Sequence, residues 1–292
     1  MIFRNSKWHN GIIYSWDISS IPSGYRLGDG VFETIRTYNG APFRLESHVK
    51  RLITGAGSIG LKNLPAYDIV LDQIKQNFIE ARTGQAGLEW ILRPTFFSDK
   101  SNWGFVVPVE PWNSPNDFVN NKGVSVGVSE YPHPGNYLVP PSTDQQVKWL
   151  SRGPLSHALR EATVNGWKEA LLLNPEQRVI EGTRSNILMF LEDRIIAPGK
   201  LSGAFPGITR EVAIECAGKG GMEVEDRPIT LNELQSSGEI LLTSSLLGIV
   251  PAISVSIQGN TFRKTLGEKS KILLSDFEVV VKNECSIDIS LR

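Results

Sequence analysis

The order of its predicted elements is the feature that most restricts the fold of this chain. Turn signals such as Asn39-Gly40 and Glu192-Asp193 separate short strand patterns, and amphipathic helix patterns lie between these hairpins. The regular alternation of strand and helix that builds a parallel sheet is not found along the sequence. The pattern therefore predicts two mixed α/β or α+β domains.

A proline-rich segment marks the predicted boundary between those domains. The chain has 292 residues, which suits two domains of about 100–200 residues each. Residues 108–122 are rich in Pro and Asn and contain few apolar side chains, as is typical of a joining segment. We therefore predict a smaller N-terminal α/β domain over 1–117 and a larger C-terminal mixed domain over 118–292.

Composition and charge restrict the kinds of molecule that the chain is expected to bind. Hydrophobic residues make up 40% of the chain, enough for a sizeable core, and the net charge of −1 without a basic run indicates no nucleic-acid partner. We expect no membrane contact, because no apolar run approaches the ~18–20 residues of a membrane span and the N-terminus has no signal-peptide pattern. Cys216 and Cys285 lie far apart without metal-ligand spacing. This predicts two buried free thiols, no metal site and a reducing, cytoplasmic location.

Three local patterns locate candidate residues in the N-terminal half. Alternation over 31–38 predicts one strand. A helix beginning near Ser47, a suitable N-cap, carries an apolar stripe over 49–59. Pro94, inside the strand-like stretch 87–97, predicts an edge position or a bend.

Lys148 and Glu181 are the candidate reactive groups. A lysine in a polar loop is ordinarily a solvated charge, but Lys148 follows the long proline-rich loop 131–146 and precedes Trp149, which can bury it partly. Glu181 follows an apolar strand pattern, where a carboxylate is either an edge residue or the partner of a protonated ring nitrogen. An aldehyde cofactor with a basic ring nitrogen requires a lysine and a carboxylate of this kind.

The helix start at Pro206-Gly207-Ile208-Thr209 is a candidate anion site. N–H groups at a helix N-terminus, with a threonine hydroxyl beside them, bind anions, although many such starts are ordinary caps. Ser245 and its neighbours could add hydroxyls, and Arg51 could add a charge-assisted bond. An anion site, a lysine and a ring-nitrogen carboxylate together indicate pyridoxal phosphate.

Five motifs follow one another along the chain. They are GDGVFETIR (28–36), QQVKWL (145–150), VIEGTRSNI (179–187), FPGITRE (205–211) and LLTSSLLGIVPA (241–252). Together they give the chain a resemblance to the class IV aminotransferases, the fold-type IV pyridoxal phosphate enzymes that include branched-chain and D-amino acid aminotransferases and aminodeoxychorismate lyases. The resemblance covers roughly residues 10–255 and implies a two-domain α/β fold, a site between the domains and a homodimer.

The resemblance also implies a role for each matching residue. Lys148 matches the lysine that forms a Schiff base with the cofactor and then moves the proton. Glu181 matches the glutamate that faces the ring nitrogen. The phosphate-binding positions are matched by Arg51, Ile208, Thr209 and Ser245, and the substrate side by Phe32, Thr34 and Arg93.

The motifs imply an aminotransferase that uses a branched-chain-like amino acid and a 2-oxo acid, and they leave two alternatives open. LRPTFFSD (92–99) resembles the branched-chain enzymes, although the tyrosine they often carry two residues before the arginine is Ile91 here. FETIR and SSLLGIVP resemble the lyases, which release pyruvate and leave 4-aminobenzoate. In those enzymes a threonine at the Thr34 position assists the proton chemistry. A non-catalytic relative that binds pyridoxal phosphate or another phosphate ligand is the third reading, and the intact Lys148 and Glu181 argue against it.

Overall fold

The chain divides into two compact units. A computed structural model describes residues 2–3, 22–84, 87–99, 102–113, 123–134 and 147–285. The first unit contains the described residues up to 113, together with 147–152 and 281–285. The second contains 123–134 and 153–280. Lys148 is thus grouped with the first unit, although it follows the predicted boundary region, of which 114–122 lie outside the described residues.

The first unit combines two four-stranded sheets with helices. The sheets have the strand orders β1-β7-β6-β2 and β4-β3-β5-β8. The strands are β1 (Ile2–Phe3), β2 (Gly30–Phe32), β3 (Ile35–Tyr38), β4 (Ala41–Pro42), β5 (Glu89–Leu92), β6 (Thr95–Asp99), β7 (Asn102–Val106) and β8 (Val109–Trp112). The helices are α1 (Ser23–Leu27), α2 (Leu45–Ser58) and α3 (Tyr67–Arg82).

Three extended segments of this unit are each interrupted once, and at each interruption the chain passes from one sheet to the other. The breaks fall at Glu33-Thr34, Arg93-Pro94 and Val107-Pro108, so the single strand predicted over 31–38 is wrong and is replaced by β2 and β3. Proline has no N–H to continue a ladder. At the breaks the N–H of Glu33 donates to the Pro94 carbonyl and that of Arg93 to the Pro108 carbonyl, both at 2.9 Å. The bend predicted at Pro94 is confirmed.

Helix α2 begins two residues before the predicted cap. Its N-cap is Arg44, which has a left-handed backbone (φ 52°), and Ser47 lies in the first turn, so Ser47 as the N-cap is wrong. Leu45 packs against the apolar core of the unit, and this packing extends the helix beyond the polar residue. Within that core Ile74 and Phe78 of α3 are fully buried. Each contributes about 1.5–3 kcal/mol by leaving water.

The second unit is built on one nine-stranded sheet. Its order is β11-β10-β9-β16-β15-β12-β13-β14, with β17 paired to β16. The strands are β9 (Val124–Val128), β10 (Glu169–Leu173), β11 (Val179–Gly182), β12 (Asn186–Leu191), β13 (Arg194–Ile196), β14 (Glu223–Glu225), β15 (Glu239–Ser244), β16 (Gly248–Ile257) and β17 (Asn260–Arg263). The helices are α4 (Gly153–Val164), α5 (Ile208–Lys219), α6 (Leu231–Ser236) and α7 (Glu268–Cys285), whose last five residues are grouped with the first unit.

The hairpin at Glu192-Asp193 and the two buried thiols predicted for the C-terminal half are confirmed. β12 and β13 pair around Glu192-Asp193, where Glu192 has φ 52°, and β10 pairs with β11. Cys216 and Cys285 are both buried and free. Within the described ranges, none of the helices combines the length and the apolar character that crossing a bilayer requires.

Candidate active site

Lys148 lies beside the strand that carries Phe32. The N–H of Phe32 donates to the Lys148 carbonyl at 3.0 Å, and Val31 forms an antiparallel bridge with Trp149. The Nζ atom of Lys148 is 5.4 Å from the centre of the Phe32 ring. An ammonium at this distance is attracted by the face of an aromatic ring. The first unit therefore brings two of the predicted residues together.

Thr34 and Arg93 meet at the breaks where the strands change sheets. The Nη1 atom of Arg93 donates to Thr34 Oγ1 at 3.3 Å, and its Nε donates to Glu110 Oε1 at 3.0 Å. Thr34 is buried, whereas the side chains of Arg93 and Glu110 keep 35% and 37% of their surface exposed. A guanidinium that is oriented by a hydroxyl and a carboxylate and still reaches solvent can bind a small anionic group.

Arg51 is oriented by a buried carboxylate. Its Nε and Nη2 donate to the two oxygens of Glu33 at 2.6 and 2.7 Å, and His48 Nδ1 is 2.8 Å from Glu33 Oε2. Burial by itself would raise the pKa of Glu33, but the charges and hydrogen bonds of Arg51 and His48 outweigh it and hold that pKa well below its usual range. Burial lowers the pKa of His48. The guanidinium of Arg51 thus has a fixed orientation.

In the second unit, Phe205, Asn186 and His133 hold Glu181 near the end of β11. Its Oε2 accepts from the Phe205 N–H at 2.8 Å and from Asn186 Nδ2 at 3.3 Å, and its Oε1 is 2.7 Å from His133 Nε2. Glu181 is only 8% exposed. Glu181 is therefore a fixed acceptor in a site with little water.

The same contacts connect Glu181 with the N-terminus of α5. Asn186 Nδ2 donates to the Phe205 carbonyl at 2.7 Å, and Phe205 stands two residues before Gly207, the N-cap of α5. A Cβ atom at Gly207 would lie 2.0 Å from Asn186 Oδ1, so any residue other than glycine would clash with the Asn186 side-chain amide. Gly207 also offers no side chain to cap the first turn, which begins with the buried residues Ile208 and Thr209.

Ser245 lies in the turn after β15, two residues beyond Thr243. Thr243 pairs with Asn186 across β12 and β15, so the two side chains share one face of the sheet. The Thr243 hydroxyl is buried, and the described part of the chain supplies no hydrogen-bond partner for it. A buried hydroxyl without a partner is costly, which is the property expected of a ligand-binding atom.

Glu169 fixes the turn that follows Glu181. One of its oxygens accepts from the N–H and the hydroxyl of Thr183, and the other accepts from the Arg184 N–H at 3.2 Å and the Ser185 hydroxyl at 3.0 Å. Glu169 is 5% exposed. The turn between β11 and β12 is therefore held in place by hydrogen bonds to one buried carboxylate.

The predicted site residues fall into two groups, one in each unit. The first unit holds Phe32, Thr34, Arg51, Arg93 and Lys148, and the second holds Glu181, Ile208, Thr209 and Ser245. Sequence reasoning missed the residues that orient them, which are Glu33, His48, Glu110, His133 and Glu169. Glu33 could have been identified because it is a charged residue inside an apolar strand pattern. His133 could have been identified because it lies in the proline-rich loop.

Comparison with known proteins identifies relatives along most of the chain. The model of a family described as amino-transferase class IV matches residues 30–255. A Thermotoga maritima protein named "probable branched-chain-amino-acid aminotransferase" is 29% identical over 283 residues, which is 97% of each chain. The D-alanine aminotransferase of Bacillus licheniformis is 26% identical over 252 residues, or 80% of this chain and 82% of the relative.

A solved structure has a similar fold. The branched-chain aminotransferase of Thermoproteus uzoniensis, crystallised with norvaline, matches with a TM-score of 0.75 and 25% identity. The match covers 89% of this chain and 88% of that protein.

Proposed function

This chain belongs to the class IV aminotransferases, and from that premise we propose that it moves an amino group from a branched-chain-like amino acid to a 2-oxo acid. The predicted mixed α/β fold of type IV is confirmed by the related structure, and the aminotransferase activity and the cofactor pyridoxal phosphate are confirmed by the family. The names of the Thermotoga and Thermoproteus relatives support the branched-chain-like donor.

The observation that carries the proposal is the link between Glu181 and the start of α5. A carboxylate held by three neighbouring groups suits a protonated ring nitrogen, and a helix N-terminus without a side-chain cap suits a phosphate group. Phe205 and Asn186 fix these two features relative to each other. In the proposed assignment Glu181 faces the ring nitrogen, and the phosphate is held by Arg51, Ile208, Thr209 and Ser245. The residues present therefore fit the cofactor.

We assign to Lys148 the bond to the cofactor and the later movement of a proton at the α-carbon of the amino acid. When bound, pyridoxal phosphate supplies an aldehyde that condenses with amino groups and a ring that withdraws electrons from that α-carbon. The Nζ atom of Lys148 is held near the Phe32 ring and its backbone is paired with β2, so the amine returns to a defined place as general base. Glu181 would present a fixed acceptor to the ring nitrogen and would thereby favour its protonated form.

Phe32, Thr34 and Arg93 form the proposed substrate side. Phe32 offers an apolar face, which suits a branched aliphatic side chain, and Arg93 offers a cation for a carboxylate. Thr34 orients Arg93 through its hydroxyl, in addition to any part that it takes in proton transfer. We also propose that the protein is a cytoplasmic homodimer, and the free thiols of Cys216 and Cys285 support a reducing compartment.

A single-turnover experiment tests the activity and the donor. Protein loaded with pyridoxal phosphate is mixed with one amino donor and no acceptor, and the released 2-oxo acid is measured. We expect about one equivalent per subunit from L-leucine or L-valine, and less from D-alanine or L-phenylalanine. Pyruvate released from aminodeoxychorismate without such a half-reaction would instead identify a lyase.

Two lysine variants complete this experiment. We expect Lys148→Ala to lose the absorbance band of the Schiff base between the lysine and the cofactor, and to lower the rate by about 10²–10⁴-fold because the general base is removed. Lys168→Ala, at an exposed position of the second unit, should behave like the wild type. A protein that stays colourless with added pyridoxal phosphate would refute the proposed function.

A further inference from the structure

The two oxygens of Glu181 have unequal surroundings. Oε2 accepts from two donors, the Phe205 N–H and the Asn186 amide. Oε1 has one protein contact in the described ranges, His133 Nε2 at 2.7 Å. A carboxylate has about four acceptor positions, two on each oxygen. Oε1 therefore has room for one additional N–H donor.

His133 is itself held in a defined place. Its backbone N–H donates to the Leu173 carbonyl at 2.9 Å, at the end of β10. Strand β10 is the neighbour of β11, and its residue Leu172 pairs with Glu181. The imidazole is 9% exposed, as expected for a group with a structural partner. The backbone of β10 thus fixes the histidine next to the carboxylate.

We propose that His133 is a positioning residue that donates its Nε2–H to Glu181 Oε1 and shares this oxygen with the ring nitrogen of the cofactor. The proposal rests on the proposed role of Glu181. The histidine fixes the rotation of the carboxylate so that its remaining acceptor position points in one direction.

Two substitutions separate hydrogen bonding from packing at this position. His133→Gln keeps an N–H donor and removes the ring, whereas His133→Phe keeps a ring and removes the donor. His157→Phe is the matched control, because the ring of His157 lies 4.6 Å from the Tyr131 ring, tilted by 43°, within the same unit. Among the described residues, the hydrogen-bond partners of Glu181 are Phe205, Asn186 and His133. The measured quantity is the dissociation constant of pyridoxal phosphate, obtained from quenching of the intrinsic fluorescence.

We expect His133→Phe to weaken cofactor binding by about tenfold, which is the loss of one hydrogen bond to a charged group. His133→Gln should stay within about threefold of the wild type, and His157→Phe should be unchanged. If His133→Phe binds as tightly as the wild type, or more tightly than His133→Gln, the side chain acts only by packing and the proposal is wrong.

A double-mutant experiment tests whether His133 acts through Glu181. When Glu181→Gln is already present, His133→Phe should have a much smaller effect, since coupled residues are not additive. Full additivity would overturn the proposal. The ¹⁵N signal of the His133 ring, one of four histidines in the chain, should shift on Glu181→Gln even without cofactor. A wild-type protein that binds no pyridoxal phosphate would refute the proposed function, and this inference with it. Wild-type binding that is unaffected in His133→Phe would refute the inference alone.

Discussion

Arg51 bonds both oxygens of the Glu33 carboxylate, through its Nε at 2.6 Å and its Nη2 at 2.7 Å. The pair joins α2 to the break between β2 and β3, where the chain changes sheets. A two-point contact between a planar guanidinium and a carboxylate fixes direction as well as distance. The proposed phosphate ligand Arg51 therefore depends on a residue that has no proposed contact with the cofactor.

Replacing Arg51 by lysine should weaken both the fold and the cofactor site. Lysine keeps the charge, but it cannot contact both oxygens of Glu33 in one plane. We expect Arg51→Lys to lower the free energy of unfolding by about 1–2 kcal/mol and to raise the dissociation constant of pyridoxal phosphate by about tenfold. Urea denaturation and fluorescence titration measure the two effects. Lys50→Arg, at the exposed neighbouring position, should leave both unchanged.

The buried pair also predicts a loss of stability in acid. Arg51 and His48 outweigh the effect of burial and depress the pKa of Glu33. A carboxyl with a depressed folded pKa contributes stability that is present above its unfolded pKa, about 4.3, and is lost as the pH falls through the folded value.

We therefore expect the free energy of unfolding of the wild type to fall as the pH decreases below about 4.5. Glu33→Gln should be less stable at pH 7 and should show a flatter decline, whereas Glu46→Gln, at an exposed site of α2, should follow the wild type. Denaturation curves between pH 7 and pH 3 decide this point. A Glu33→Gln curve parallel to that of the wild type would contradict it.

Glu110 should affect the choice between acidic and apolar amino donors. Its carboxylate partly neutralises Arg93, which is on the proposed substrate side. Because both side chains are about one-third exposed, the interaction is weak, about 0.2–1 kcal/mol. We expect Glu110→Gln to raise the ratio of kcat/KM for glutamate over leucine by up to about fivefold. Glu110→Asp keeps the charge and serves as the control, and an unchanged ratio in Glu110→Gln would remove Arg93 from carboxylate binding.

Glu169 should be essential for the stability of the turn between β11 and β12. Its removal takes the buried acceptor away from the Arg184 N–H and the Ser185 hydroxyl, at a cost of about 1–3 kcal/mol each. We expect Glu169→Ala to lower the free energy of unfolding by about 3–5 kcal/mol. Glu169→Gln, which keeps one acceptor oxygen, should lose less than half of that. Chemical denaturation of the two variants makes the comparison, and equal losses would be the contrary result.

Replacing Thr243 by valine should stabilise the cofactor-free protein but weaken the binding of the cofactor. Its buried hydroxyl finds no partner among the described residues, so Thr243→Val should stabilise the cofactor-free protein by about 1 kcal/mol. If the hydroxyl contacts the bound phosphate, the same change should weaken cofactor binding. Ser244→Ala is the comparison, because the Ser244 Oγ accepts from the Leu247 N–H at 3.2 Å and its loss should destabilise the protein. Thermal melts with and without pyridoxal phosphate separate the two effects.

The hairpins and helices of this protein were determined largely by local sequence. Asn39 and Glu192 occupy turn positions with positive φ, and both hairpins form where the turn signals stood. The buried stripe of α2 follows the predicted helical spacing at Val49, Leu52 and Ala56. These features depend on φ/ψ preferences and on periodicity within about ten residues, so a single sequence contains the information.

The cofactor and the family were also contained in the sequence, because short motifs preserve residue types together with their order. The roles of the nine site residues remain proposals, since each motif indicates a residue type and says little about what holds its side chain. That information lies in contacts between distant parts of the chain. Glu181 and Phe205, for example, are 24 positions apart.

Only the tertiary structure decided where strands change sheets and which groups orient the site. The break at Glu33-Thr34 arises because the Pro94 carbonyl accepts the Glu33 N–H, a contact that alternation over 31–38 cannot indicate. The pairing of His133 with Glu181 depends on the register of β10 and β11 in the same way. Hydrogen bonds between residues so far apart in the chain form only when whole sheets pack together. A local sequence pattern therefore does not predict them.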